Sequence, residues 1–271
     1  MEWKNIYRGM IMGASDVIPG VSGGTIAVIL GIYDQLIEAI NGFFSKDWKK
    51  HLAFLLPLGL GIGISIVLLA SIIEWLFEHY AGPTQFFFLG LIIGVLPFLF
   101  HKSEARRTFK ANHFLLLTIG AIIVGSMVFL QSGESEPMQN LTIGSYLLLF
   151  ASGFLASSAM ILPGISGSFL LLIIGVYTTV ISGISNFQLD IIAVVGIGVL
   201  LGIVTMSKVI HFFLENYPTG TYAFVIGLVI GSIVVIFPGW PQTVSLMLSS
   251  LITFAAGLTA AYLLGRFEYQ E

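Results

Sequence analysis

The sequence predicts an all-α polytopic membrane protein, built as a tandem repeat of inverted topology, and three observations carry that prediction. Apolar residues make up 56% of the chain and charged ones only 9%, with a mean hydropathy of +0.98, outside the range of soluble domains. A Pro-Gly break inside an apolar segment occurs twice, and the match runs without a gap from Gly9 to Asn41 against Gly153 to Ser185. Lysine and arginine cluster in a few loops, which fixes the sidedness of the spans between them.

Taken in order, residues 1–41 form a first broken segment with an amphipathic start (Trp3, Ile6, Tyr7, Met10) and a return limb from Ser22 to about Ile40. Trp3, Lys4, Asn5 and Arg8 interrupt the N-terminus before any long apolar run, so no cleavable signal is expected. After the polar loop Ser45 to His51, apolar runs at 52–76, 85–100 and 114–131 approach the roughly 20 residues that a bilayer requires. These complete a first repeat over 1–131. The stretch 132–141, with Glu134, Glu136 and Pro137, reads as an external linker. A second repeat over 142–271 follows, with a broken segment at 142–185 and spans at 189–214, 221–237 and 246–265.

The halves also match beyond the breaks. Gly59-x-Gly61 aligns with Gly196-x-Gly198, Glu78-x-Tyr80 with Glu215-x-Tyr217, and Gly90-Leu-Ile-Ile-Gly94 with Gly227-Leu-Val-Ile-Gly231. If both broken segments turn back as re-entrant hairpins, Lys4, Arg8, Lys46, Lys49, Lys50, Lys102, Arg106, Arg107, Lys110 and Arg266 all fall on the cytoplasmic side. If both cross once, Lys4, Arg8 and Arg266 move outside. The hairpin arrangement is therefore expected, with both termini cytoplasmic. It leaves three crossings per half, so the halves point in opposite directions, as in many secondary transporters.

The breaks carry the chemistry. Proline at 19 and 163 lacks the N–H and clashes one turn back, while Gly20 and Gly164 accept a positive φ. Ser22 and Ser166 are suited to start new helices, and Gly23, Gly24 and Thr25 in one copy, Gly167 and Ser168 in the other, leave backbone N–H groups open to an anion. Asp16 lies inside the apolar limb, where a charge costs about 2.5 to 3.5 kcal/mol, so it reads as a cation or proton site or as a cap on the open amides. Asp34 and Glu38 are one helical turn apart, close enough for one cation to bridge. Arg8 near the cytoplasmic mouth and Lys208 within a span are the cations suited to meet a phosphate. Interfacial anchoring, or snorkelling in the case of Lys208, is the plainer reading.

The run Gly13-Ala14-Ser15-Asp16-Val17-Ile18-Pro19-Gly20-Val21-Ser22-Gly23-Gly24-Thr25, followed by Gly31-Ile32-Tyr33, resembles the signature of the bacterial and archaeal polyprenyl-phosphate translocase family of the PopT type. The second Pro-Gly-Ile-Ser-Gly copy and the paired Gly-Leu-x-x-Gly spans fit the same family, so the resemblance covers nearly the whole chain. It implies a flippase that returns undecaprenyl phosphate from the outer to the inner leaflet of the cytoplasmic membrane for reuse in cell-wall synthesis. Asp16, Pro19, Gly20, Ser22, Gly23, Gly24 and Thr25, with Pro163, Gly164, Ser166 and Gly167, become its site residues by that resemblance. Membrane undecaprenyl-diphosphate phosphatases carry a related Pro-Gly-x-Ser-Arg-Ser motif. Here Gly23 and Gly167 stand at the arginine position, and phosphoryl transfer without that fixed charge is disfavoured.

A phosphomonoester carries about −1.5 to −2 charges, and one helix N-terminus offsets only about 0.3 to 2 kcal/mol. Moving the uncompensated dianion inward opposes the membrane potential by about 4 to 5 kcal/mol per 100 mV. Coupling to H+ or Na+ is therefore expected, with Asp16, Asp34 and Glu38 as candidate carboxylates. A carrier of a small soluble anion, a phosphatase-like enzyme of polyprenyl phosphates and a membrane scaffold are the competing classes. The absence of cysteine excludes thiolate metal sites and thiol nucleophiles. With five scattered histidines and no Walker loop or nucleic-acid module, no metal, cofactor, catalytic residue or nucleic-acid partner is expected.

Overall fold

The computed structural model describes residues 2–16, 22–43, 45–130, 136–138 and 141–268, and among them there are helices and no strands. Twelve α-helices are described: α1 (Lys4–Asp16), α2 (Gly23–Ile29), α3 (Tyr33–Gly42), α4 (Trp48–Lys102), α5 (Ala105–Thr108), α6 (Ala111–Ser126), α7 (Ile143–Ile161), α8 (Gly167–Ile174), α9 (Tyr177–Ser185), α10 (Leu189–Asn216), α11 (Pro218–Ile236) and α12 (Val244–Glu268). α4 is two arms joined at Tyr80, whose φ of −139° and ψ of 40° are non-helical. Pro83 lies three residues later, and its ring removes a hydrogen bond at the kink.

Seven described helices are long and apolar enough to cross a membrane: Trp48–Leu69, Trp75–Lys102, Ala111–Leu130, Ile143–Ile161, Leu189–Asn216, Pro218–Ile236 and Val244–Arg266. The chain is thus a multi-pass helical membrane protein. α7 is among them, whereas α1, with 13 residues, is not. Trp48, Trp75, Tyr80 and Trp240 are exposed, as interfacial aromatics require.

Each return limb, expected as one helix, is two. Gly31 (φ 68°) separates α2 from α3, and Gly175 (φ 83°) separates α8 from α9, which bend by 113°. Only glycine takes these left-handed angles without strain, and the sequence repeats it at the matching position.

In lipid, apolar burial does not drive helices together, so close backbone contact must. Glycine supplies it here at register-matched places in the two halves. α1 lies on the first arm of α4, where a Cβ at Gly61 would come 2.1 Å from the Ile6 carbonyl oxygen. α7 lies on α10 in the same way, with Gly198 and the Phe150 oxygen at 2.3 Å. The remaining spans pair across the halves. The second arm of α4 packs on α12 through Gly90 and Phe254 (2.2 Å), and α11 packs on α6 through Gly227 and Leu117 (2.0 Å). Inside this frame α2 is buried at every residue, touching α1, α4, α7 and α12.

Candidate functional site

The two Pro-Gly copies meet. The backbone N–H of Gly164 donates to Thr25 Oγ1 at 2.7 Å, a contact between residues 139 apart in the chain. Thr25 Oγ1 lies 2.9 Å from Ser22 Oγ, and Ser22 Oγ accepts the Thr25 N–H at 3.2 Å, so Ser22 caps α2. Ser22 and Thr25 are each 1% exposed. Gly23 and Gly24 are buried beside them, and a Cβ at Gly24 would lie 2.9 Å from the Ile161 carbonyl oxygen at the end of α7. Small residues at these positions are what lets the start of α2 dock on the second break.

On the other side Pro163 is buried and Gly164 has a φ of 87°, and a Cβ there would come 2.5 Å from the Leu228 carbonyl oxygen of α11. Ser166 precedes α8 but caps nothing with its side chain; its Oγ sits 2.9 Å from Ser168 Oγ instead. The matching position in the first copy is Gly24, which has no hydroxyl to compete, and there the serine does cap. Gly167 is buried against the Ala156 oxygen, and Ser168 is half-buried. The structure therefore brings Thr25 onto Gly164 and Gly24 against the Ile161 carbonyl, with Ser22 and Gly23 beside them in sequence and Ser166, Gly167 and Ser168 following Gly164 within four residues. Pro19 and Gly20 lie outside the described residues, as does the side chain of Asp16.

The charged candidates stand elsewhere. Arg8 donates to Asn5 Oδ1 at 3.0 Å and lines a cavity of about 670 Å³ with Lys4, Glu38, Lys50 and His51, two turns of α1 before Asp16. Lys208 is exposed on α10, next to the buried Ser207. Asp34 and Glu38 each face a separate lysine. Glu38 pairs with Lys50 at 3.1 Å, and Asp34 Oδ2 accepts from Lys102 Nζ at 2.8 Å and from Tyr222 OH at 2.6 Å. The Lys102 and Tyr222 partners escaped sequence reasoning, because in the sequence Lys102 is one of a run of cytoplasmic positive charges, whereas the structure places it in the last turn of α4.

An apolar groove of about 750 Å³ opens between α6, α10 and α11. Leu116, Leu162, Met206, Ile210 and Phe213 line it, with Tyr33 at its wall. Leu162 places this groove one residue from Pro163.

The chain is 41% identical to the "Polyprenyl-phosphate transporter" of Staphylococcus aureus (strain NCTC 8325 / PS 47), over 100% of this chain and 98% of that one. It is 38% identical to the protein of the same name from Vibrio cholerae serotype O1 (strain ATCC 39315 / El Tor Inaba N16961), over 92% and 82%. No solved structure matches it. The VCA0040-like family model, described as undecaprenyl phosphate translocase-like, matches residues 12–254, and the chain belongs to that family.

Proposed function

We propose that this protein carries undecaprenyl phosphate from the outer to the inner leaflet of the cytoplasmic membrane, coupled to H+ or Na+, with the phosphate held between two re-entrant helix tips. The observation that carries the proposal is the Thr25–Gly164 hydrogen bond, which joins the two breaks through a hydroxyl oxygen accepting a backbone N–H. The relatives' names supply the substrate class, and the neighbouring groove gives a prenyl chain an apolar path.

The register-matched glycine contacts support an inverted repeat in which each half exchanges its spans with the other. α8 spans eight residues, about 12 Å at 1.5 Å per residue, too short to cross a bilayer, which favours a hairpin that turns back. With α2 only seven residues long, its dipole is weak, so the serine and threonine hydroxyls and a cation carry most of the phosphate's stabilisation. Asp16, Asp34 and Glu38 are the candidate carboxylates for that coupling. A phosphatase finds less support, because a side chain at Gly167, where the phosphatase motif has arginine, would meet the Ala156 backbone oxygen at 3.0 Å.

In proteoliposomes, Ser22→Ala combined with Ser166→Ala should slow inward movement of a short-chain prenyl phosphate by about tenfold or more, since two hydrogen bonds to a charged group are lost. An unchanged rate would remove the tips from the transport path.

A further inference from the structure

At the end of the bundle that carries Lys102, three elements are tied by one carboxylate. Asp34 of α3 accepts both the Lys102 ammonium of α4 and the Tyr222 hydroxyl of α11 on the same oxygen, Oδ2. The ammonium also lies 5.6 Å from the centre of the Tyr222 ring. Asp34 Oδ1 and the Tyr33 hydroxyl are buried without a hydrogen-bond partner. An ion pair whose side chains are 27% and 41% exposed contributes little to stability. Stability alone does not account for the cluster.

Repeat symmetry points the same way. The glycine contacts recur in both halves, so purely architectural features are duplicated. At the register-equivalent positions of Asp34, Lys102 and Tyr222 stand Thr178, Gly239 and Gln85, none of them charged. The charged cluster belongs to one end only.

Its place between cavities suggests what it meets. Tyr33 lines the apolar groove that reaches Leu162. Tyr33, Asp34, Lys102 and Tyr222 together line a narrow gap of about 10 Å³, about the size of one water. Lys102 then lines an open cavity of about 910 Å³ with His101, Glu104, Arg106 and Arg107. Groove, gap and basic cavity follow one another through shared residues, and the Asp34–Lys102 pair sits at the constriction.

We infer that Lys102 is a phosphate-binding residue, and that Asp34 is the resident anion which a phosphomonoester displaces on its way between the groove and the basic cavity. The inference rests on the transport reading above for its ligand. When the phosphate takes the ammonium, α3 loses the ion pair that ties it to α4 and is left with the Tyr222 hydroxyl of α11 alone.

The test separates a competing anion from a structural pair by sign. Binding of farnesyl monophosphate, inorganic phosphate and farnesol would be measured on the full-length protein in nanodiscs. Asp34→Asn should tighten farnesyl monophosphate binding and Lys102→Gln should weaken it, each by about tenfold, with farnesol binding unmoved. The neutral pair Asp34→Asn/Lys102→Gln, which leaves no uncompensated charge, should bind as weakly as Lys102→Gln alone. Weakening by both single substitutions, or an effect of neither, overturns the inference while leaving transport intact. Failure of the wild-type protein to bind either phosphate overturns both. Inorganic phosphate bound as tightly, with the same dependence on Lys102, supports the site and assigns it to a soluble anion.

Discussion

Thr25→Val should slow transport by about 5- to 150-fold while Thr25→Ser preserves it. Valine matches threonine in shape, so the fit of α2 against α1, α4, α7 and α12 survives. What disappears is the oxygen that accepts the Gly164 N–H at 2.7 Å and pairs with Ser22 Oγ at 2.9 Å. Thr25 is 1% exposed, so water has little access to replace it. A buried N–H left without an acceptor costs about 1 to 3 kcal/mol, equivalent to about 5- to 150-fold in the population of the joined state. Serine keeps the oxygen and loses only a methyl group, so its rate should stay within about threefold of wild type. Initial rates in proteoliposomes, normalised to monodisperse protein, measure both. Equal rates for the valine and serine variants would mean that the bond between the breaks plays no part in the cycle.

Much of this arrangement was legible in the sequence, for physical reasons. The Pro-Gly breaks stand out because nothing else places proline beside glycine and serine within an apolar run, and the duplication marks them as a pair. The spans are legible because lipid imposes length and polarity on them. Contacts across the halves are not legible. Gly90 and Gly227 announce close approach, yet periodicity says nothing of which helix approaches, and the structure gives α12 to one and α6 to the other. The return limbs hid their corners because Gly31 and Gly175 sit in runs apolar enough for one continuous helix. Asp34 and Glu38 show a helical spacing that suggests a shared cation, but each found its own lysine. Spacing along a helix fixes which side chains are near each other, and the rest of the bundle decides what comes between them.

The glycine seams lead to the second large effect, on assembly. Gly227→Ala should prevent α11 from seating on α6, and Gly90→Ala should do the same to α4 and α12. A Cβ at Gly227 would lie 2.0 Å from the Leu117 carbonyl oxygen and one at Gly90 2.2 Å from that of Phe254. Backbone cannot rotate away as a side-chain end can, so the helices must part until the contact reaches the 3.4 Å of ordinary packing. That movement loosens the whole seam, which also includes Gly231 against Ala121 and Gly120 against Phe224. The cost should reach ~3 kcal/mol, the upper part of the range for overpacked cores. Gly59, Gly63 and Gly196 meet nothing within 4 Å, so alanine there should be tolerated and should favour the helix by up to about 1 kcal/mol. Gly59 and Gly61 differ by two residues, and so do Gly196 and Gly198, yet in each pair only the second is pressed against backbone. Melting temperatures in detergent should therefore fall for Gly61→Ala and Gly198→Ala and hold or rise for Gly59→Ala and Gly196→Ala. Because the two halves use equivalent contacts, matched substitutions should lower stability by similar amounts. A large loss in one half with none in the other would contradict the paired seams from which the frame around both breaks is built.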